Sequence, residues 1–172
     1  MASRNCVIEY TKRQALVDLS TLGFTPIKTT EQFQSNYKMH DIACQHAALE
    51  YLKKKFSLIP IGVDERGQRV MVKNSLPNYM AEKSNEVFCF DPKAKKRIKN
   101  FGWVNERDAI SYRELANACR IPVYVDFVQV VGGKLGGEIG HCNIEDEPSE
   151  KTRAWNGNPV WIYKWEKGLA RI

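Results

Sequence analysis

A mixed α/β (α+β) fold follows from three observations. Apolar residues recur at helical spacing in residues 31–56 and again in 105–119. Between them, after Pro60 and Gly62, the period switches to two. Residues 121–131 then form a nearly continuous β-branched and aromatic run, as expected of an interior strand. The predicted order is helix, three strands, helix, strand.

Ala15, Leu16, Leu19 and Leu22 predict a short helix over 11–22, with Gly23 as its C-cap. A connection through Thr25, Pro26 and Thr29-Thr30 leads to the long helix of 31–56. Its narrow stripe is Ala43, Ala47 and Glu50, flanked by Ile42, Leu49 and Phe56. Small alanines permit close approach to a sheet, and Glu50 is then expected on the buried side. Strands are expected at Val70–Val72, Tyr79–Ala81 and Val87–Lys93, joined by the turns Asp64–Gly67 and Glu82–Asn85 into an antiparallel meander. Ala109, Ile110, Leu115 and Ala118 mark the buried side of the second helix. Gly132-Gly133 and Gly136-Gly137 bracket a glycine-rich turn. No helix follows to present backbone amides, so this is not a phosphate loop. Val160 to Trp165 reads as a final strand.

Composition narrows the class. With 43% apolar and 27% charged residues over 172 positions, one globular domain is expected. No apolar run approaches the roughly twenty residues of a membrane span, and Met1–Asn5 leads into no signal core. A cytoplasmic or nucleoid-associated protein, not a secreted one, is therefore expected. Five scattered cysteines without C-x-x-C spacing suggest reduced thiols. The net charge of +6 suits a polyanionic partner. His40, Cys44, His46 and His141-Cys142 match none of the recurrent zinc spacings.

Chemistry concentrates in Leu76-Pro77-Asn78-Tyr79 and Phe90-Asp91-Pro92-Lys93-Ala94-Lys95. Asp91 and Lys93 are two apart on a strand, so they project from one face with Val87 and Cys89, while Phe88 and Phe90 occupy the other. A carboxylate can hold a hard cation such as Mg2+, and a neighbouring lysine can orient water and stabilise phosphate charge. The basic run Lys93, Lys95, Lys96, Arg97, Lys99 begins at this point, where a nucleic-acid backbone would have to lie. Bland readings stand beside these: Glu50 as a surface residue pairing with Lys54 at i+4, and the basic run as a solvated face.

The order of elements, with Glu50 in ALEYLKKKF, Pro77-Asn78, Asp91-Pro92-Lys93 and the segment SYRELANACRIPVYVDFVQV, resembles the PD-(D/E)xK nuclease superfamily. That superfamily includes restriction enzymes, archaeal Holliday-junction resolvases and some homing endonucleases. The resemblance implies a restriction-endonuclease-like core over about 41–131, a central mixed sheet flanked by helices. Residues 1–40 become an N-terminal helical extension and 132–172 a C-terminal strand-rich one. It implies a Mg2+-dependent DNA endonuclease, with Mn2+ as a possible substitute. Asp91, the carbonyl of Pro92, Asn78 and Glu50 are the implied metal ligands. Lys93 is the implied catalytic lysine beside Asp91, Glu50 and Asn78. Lys95, Lys96, Arg97, Lys99, Tyr112 and Arg113 are expected toward DNA.

Asn78 stands where that superfamily has an aspartate. An amide is a neutral, weaker ligand for a hard cation. Three readings stay open: a variant inactivated by an Asp-to-Asn change, a natural variant that still cuts, and a binding protein that has lost catalysis. Cutting two strands needs two sites, so a homodimer is expected, with Trp161, Tyr163 and Trp165 as a candidate interface. Segments 1–40 and 132–172 lie outside the common core and could supply base readout, so a site-specific cutter is expected, with cutting of branched DNA as the alternative. A non-catalytic DNA-binding protein is the alternative.

Overall fold

Alternation along residues 86–95 decides the architecture, because it sends Phe88 and Phe90 to one side of a sheet and Cys89, Asp91 and Lys93 to the other. The computed structural model describes residues 31–62, 75–95, 101–154 and 157–170, with side chains from 38 onward. Helix α1 (Glu31–Lys53) leads to strands β1 (Ser57–Pro60), β2 (Tyr79–Lys83), β3 (Glu86–Lys95) and β4 (Phe101–Asn105). Helix α2 (Glu106–Cys119) follows, then β5 (Val123–Val131), β6 (Lys134–Asn143), β7 (Glu150–Arg153), β8 (Pro159–Lys164) and β9 (Glu166–Lys167). One sheet has the order β1-β2-β3-β5-β6-β9 and a second β4-β8-β7. The first is mixed: β1, β2 and β3 form an antiparallel meander, β5 lies parallel to β3, and β6 returns antiparallel.

Helix α1 lies on β3 and β5. Its buried stripe is Ala43, Cys44, Ala47 and Tyr51. The alanines let the backbone approach the sheet, and the Tyr51 ring enters the aromatic layer, 4.3 Å from Phe90 and 5.4 Å from Phe88 between centroids. Removing a buried ring of this kind costs about 3–5 kcal/mol. Leu49, expected on the apolar face, is exposed instead.

Helix α2 carries Glu106 and Asp108 in its first turn, where the helix dipole favours carboxylates, and ends on Arg120 in the left-handed region at φ 53°. Its buried face is Asp108, Ala109, Tyr112, Leu115, Ala116 and Cys119. Ile110 and Ala118 point outward, against the sequence-based expectation. The indole N–H of Trp161 donates to Glu106 Oε1 at 2.9 Å and ties the second sheet to this helix.

Gly132 and Gly133 take positive φ (56° and 75°) and turn β5 into β6, so the glycine-rich segment is a hairpin whose second glycine pair lies within β6. Strands β1, β4, β6, β7 and β9 were not individually foreseen; β1 and β7 have only four residues each. The expected helix at 11–22, the strand at 70–72 and the turn at 64–67 lie outside the described residues.

Trp161 and Tyr163 are buried within the chain, and the Trp165 ring sits where a Cβ on Gly140 would be. The final strand therefore spends its aromatic side chains on this chain's own packing and offers little to a partner subunit.

Candidate active site

Asp91 and Lys93 leave β3 on the face that α2 covers. Asp91 is fully buried, and its Oδ2 accepts two hydrogen bonds, from Lys93 Nζ at 2.8 Å and from the Tyr112 hydroxyl at 2.7 Å. Lys93 Nζ also donates to Asp108 Oδ2 at 3.0 Å, and Ser75 Oγ donates to the other oxygen of Asp108 at 2.5 Å. Arg107, largely exposed, approaches Asp108 Oδ1 only to 3.7 Å. The result is a buried chain, Tyr112–Asp91–Lys93–Asp108–Ser75, that joins β3 to the first two turns of α2. Lys93 alone among Asp91, Lys93 and Asp108 reaches solvent, at 13% exposure. An ammonium has three N–H donors. Two go to carboxylates, which leaves one for a water or a phosphate oxygen.

Asn78 precedes β2 and is fully buried. Its carbonyl accepts from the backbone N–H of Ile61 (2.9 Å) and Gly62 (3.2 Å), which holds the residue against the end of β1. Its side-chain Nδ2 donates to Cys44 Sγ at 2.9 Å and lies 3.3 Å from His40 Nε2. His40 and Cys44 sit one turn apart on α1, 3.4 Å from each other. Burial, and then the Asp91 charge, push the Cys44 thiol up to about 12, so it stays protonated. With Nδ2 turned to this pair, Oδ1 of the amide points the other way.

The residues fit a cation in one specific respect. Asn78 Oδ1 and Asp91 Oδ1 are both buried and meet no hydrogen-bond donor among the described residues. Buried oxygens without a donor are costly, and a hard cation satisfies them. Pro92 supports the same reading. Cys89 N bonds to Pro122 O on the β5 side, so alternation sends the ring nitrogen and carbonyl of Pro92 to the β2 side. Pairing of β2 with β3 ends at Tyr79 and Phe90, so Pro92 has no ladder partner there. The β2 side of β3 is thus an open edge at Pro92. Among the described residues no three His, Cys, Asp or Glu side chains are grouped to hold a metal. A cation here would rely on one carboxylate, one amide and backbone carbonyls.

Glu50 is not brought to this site. It lies at the solvent edge of α1 and pairs with Lys53 at 2.6 Å, which holds its carboxyl below the usual range. It is six residues beyond Cys44, roughly 9 Å along the helix axis. Tyr112 is fully buried against Asp91 and cannot meet DNA. Arg113 donates to the carbonyls of Ile144 (2.8 Å) and Asp146 and lies over the Trp161 ring, so it fastens α2 to the chain after β6. Lys95 folds back onto Trp103, with Nζ 3.0 Å from its carbonyl and 3.3 Å from its ring centroid. Burial, then the Lys93 charge, lower its pKa to about 7. Lys96, Arg97 and Lys99 lie outside the described residues.

The sequence reading missed Asp108, Ser75, His40 and Cys44 as parts of one cluster. Asp108 looks like an ordinary first-turn carboxylate. The i, i+4 spacing of His40 and Cys44 was visible, but only Asn78 gives it a purpose.

No protein-family model matches the chain, and no curated protein sequence matches it. Among solved structures it is similar to Hjc, a Holliday junction resolvase from the archaeal hyperthermophile Archaeoglobus fulgidus, determined at 1.6 Å. The TM-score is 0.49 at 10% identity, over 73% of this chain and 83% of that one.

Proposed function

We propose that this chain is a divalent-cation-dependent DNA endonuclease that hydrolyses phosphodiester bonds, at a specific sequence or at a branch. The observation that carries the reading is that two buried oxygens, Asn78 Oδ1 and Asp91 Oδ1, lack a donor, the second on the carboxylate whose other oxygen accepts from Lys93. Asn78, Asp91 and the Pro92 carbonyl would hold Mg2+ or Mn2+. When bound, such a cation polarises a phosphoryl oxygen and makes water a better nucleophile. Lys93 presents its remaining N–H to the attacking water or to the phosphate. Asp108 and Tyr112 act as positioning residues: they fix Lys93 and Asp91 so that little reorganisation is needed when charge develops.

A second reading is a DNA-binding protein without catalysis. Two features favour it: the ligand set has a neutral amide where a carboxylate would bind more tightly, and Lys93 is clamped by two carboxylates. One substitution separates the two. Asn78→Asp, assayed on plasmid and branched DNA with Mg2+ or Mn2+, is expected to cut faster than the wild type. Adding Lys93→Ala to it should abolish cutting and spare binding. Absence of cleavage by both the wild type and Asn78→Asp would overturn the enzyme. Undiminished cutting by the double variant would overturn the role of Lys93.

A further inference from the structure

Strand β4 displays two large aromatic side chains to solvent, Phe101 at 47% and Trp103 at 44% exposure, while Gly102 and Val104 between and beyond them face inward. The inward face is packed tightly. A Cβ on Gly102 would meet the Phe127 ring at 2.3 Å, so β4 is pressed onto β5 and its outward face is held rigidly. Across the sheet, Phe101 is paired with Lys164 and Trp103 with Ile162, so the same face carries an exposed lysine beside Phe101. Lys95 Nζ lies over one face of the Trp103 ring, which leaves the exposed surface of the indole to its other face and edge. Glu150, opposite Ile162 on β7, is the acidic residue at the far margin. In sequence the platform follows directly on Lys95, Lys96, Arg97 and Lys99.

This face adjoins the candidate active site. Lys95 is two residues beyond Lys93 on the same side of β3, and Lys93 bonds Asp108, five residues beyond Trp103.

We propose that Phe101 and Trp103 form a stacking platform for unpaired bases of a single-stranded DNA segment that adjoins the scissile phosphate. The inference rests on the nuclease reading and deepens it by naming the substrate class. Spacing favours a single strand over a duplex. Residues i and i+2 of a strand are roughly 6.6 Å apart, about twice the 3.4 Å per nucleotide of a B-form strand. Bases on successive platform residues are therefore separated from each other, as in an extended single strand. Aromatic side chains on a sheet with an exposed lysine, Lys164, at the margin meet both needs of such a ligand: flat surfaces for bases and a cation for a phosphate. A polypeptide partner would explain the aromatics but not the exposed Lys164 beside Phe101.

The test compares wild type, Phe101→Ala and Trp103→Ala by fluorescence anisotropy, without divalent metal, on a labelled oligo-dT and on a blunt duplex of equal length. Both residues are exposed, so melting temperatures should stay within a degree or two. Each variant is expected to lose about tenfold in single-strand affinity, the scale of one base–aromatic stack, with duplex affinity unchanged. Equal losses on both ligands, or none on either, overturn the platform and leave the nuclease reading standing. A wild type that binds neither DNA overturns both. If the substitutions instead dissociate a dimer in sedimentation velocity and leave DNA affinity intact, the face joins two copies of the chain and the proposal fails.

Discussion

Asp126 offers a quantitative test of the packing that supports the site. Its carboxyl is fully buried on β5, on the face covered by α1, and accepts from the Tyr51 hydroxyl at 3.0 Å. Burial pushes its pKa from the ordinary 3.8 to about 7, and the Tyr51 bond opposes that rise only in part. At 1.36 kcal/mol per pH unit, the gap between 3.8 and about 7 corresponds to about 4 kcal/mol. The sign follows from proton counts. Between these two values the folded chain keeps a proton that the unfolded chain has released. Stability from this group is complete below about 4, falls as pH rises toward 7, and is level above that. Asp126→Asn preserves shape and cannot titrate. Urea unfolding of both proteins at pH 4, 5.5, 7 and 8 should give a variant whose advantage over wild type grows by up to about 4 kcal/mol between pH 4 and pH 8. Parallel stability curves for the two proteins would refute the reasoning.

Two further outcomes test the site itself. Tyr112→Phe removes one of the two donors to Asp91 Oδ2. In the Asn78→Asp background it should lower cleavage about tenfold, and it should cost about 1–3 kcal/mol in urea unfolding; unchanged values in both assays would remove Tyr112 from the positioning network. Glu50→Gln breaks only the surface pair with Lys53, so cleavage should change less than twofold and stability by under about 0.5 kcal/mol. A large loss of cleavage would return Glu50 to the site.

Legibility in the sequence tracked the range of the interactions. Both long helices and the β2–β3 hairpin were readable from local periodicity, and strand β5 from its continuous β-branched and aromatic run. The four-residue strands β1 and β7 carry too few residues for a period, and β6 is diluted by glycine. The pairing of Asp91 with Lys93 was readable because residues two positions apart on a strand share a face. Glu50 was misplaced through a small rotation. Its neighbour Tyr51 claims the buried direction because a tyrosine buries far more apolar area, and Glu50 turns toward Lys53.

By itself, the sequence determined the mixed fold class and placed an acid and a lysine on one face of β3 and an amide just before β2. Which side chains complete that cluster was decided only in three dimensions. Asp108 reaches Lys93 because α2 crosses the face of β3 that carries Asp91, and His40 and Cys44 reach Asn78 because α1 lies along the same sheet. These partners are separated by 15 to 38 residues, and no local pattern encodes a contact at that range. Burial then did the rest: out of reach of water, polar atoms had to find partners in the fold, and Asn78 Oδ1 and Asp91 Oδ1, which meet no donor among the described residues, are the atoms proposed to face a cation.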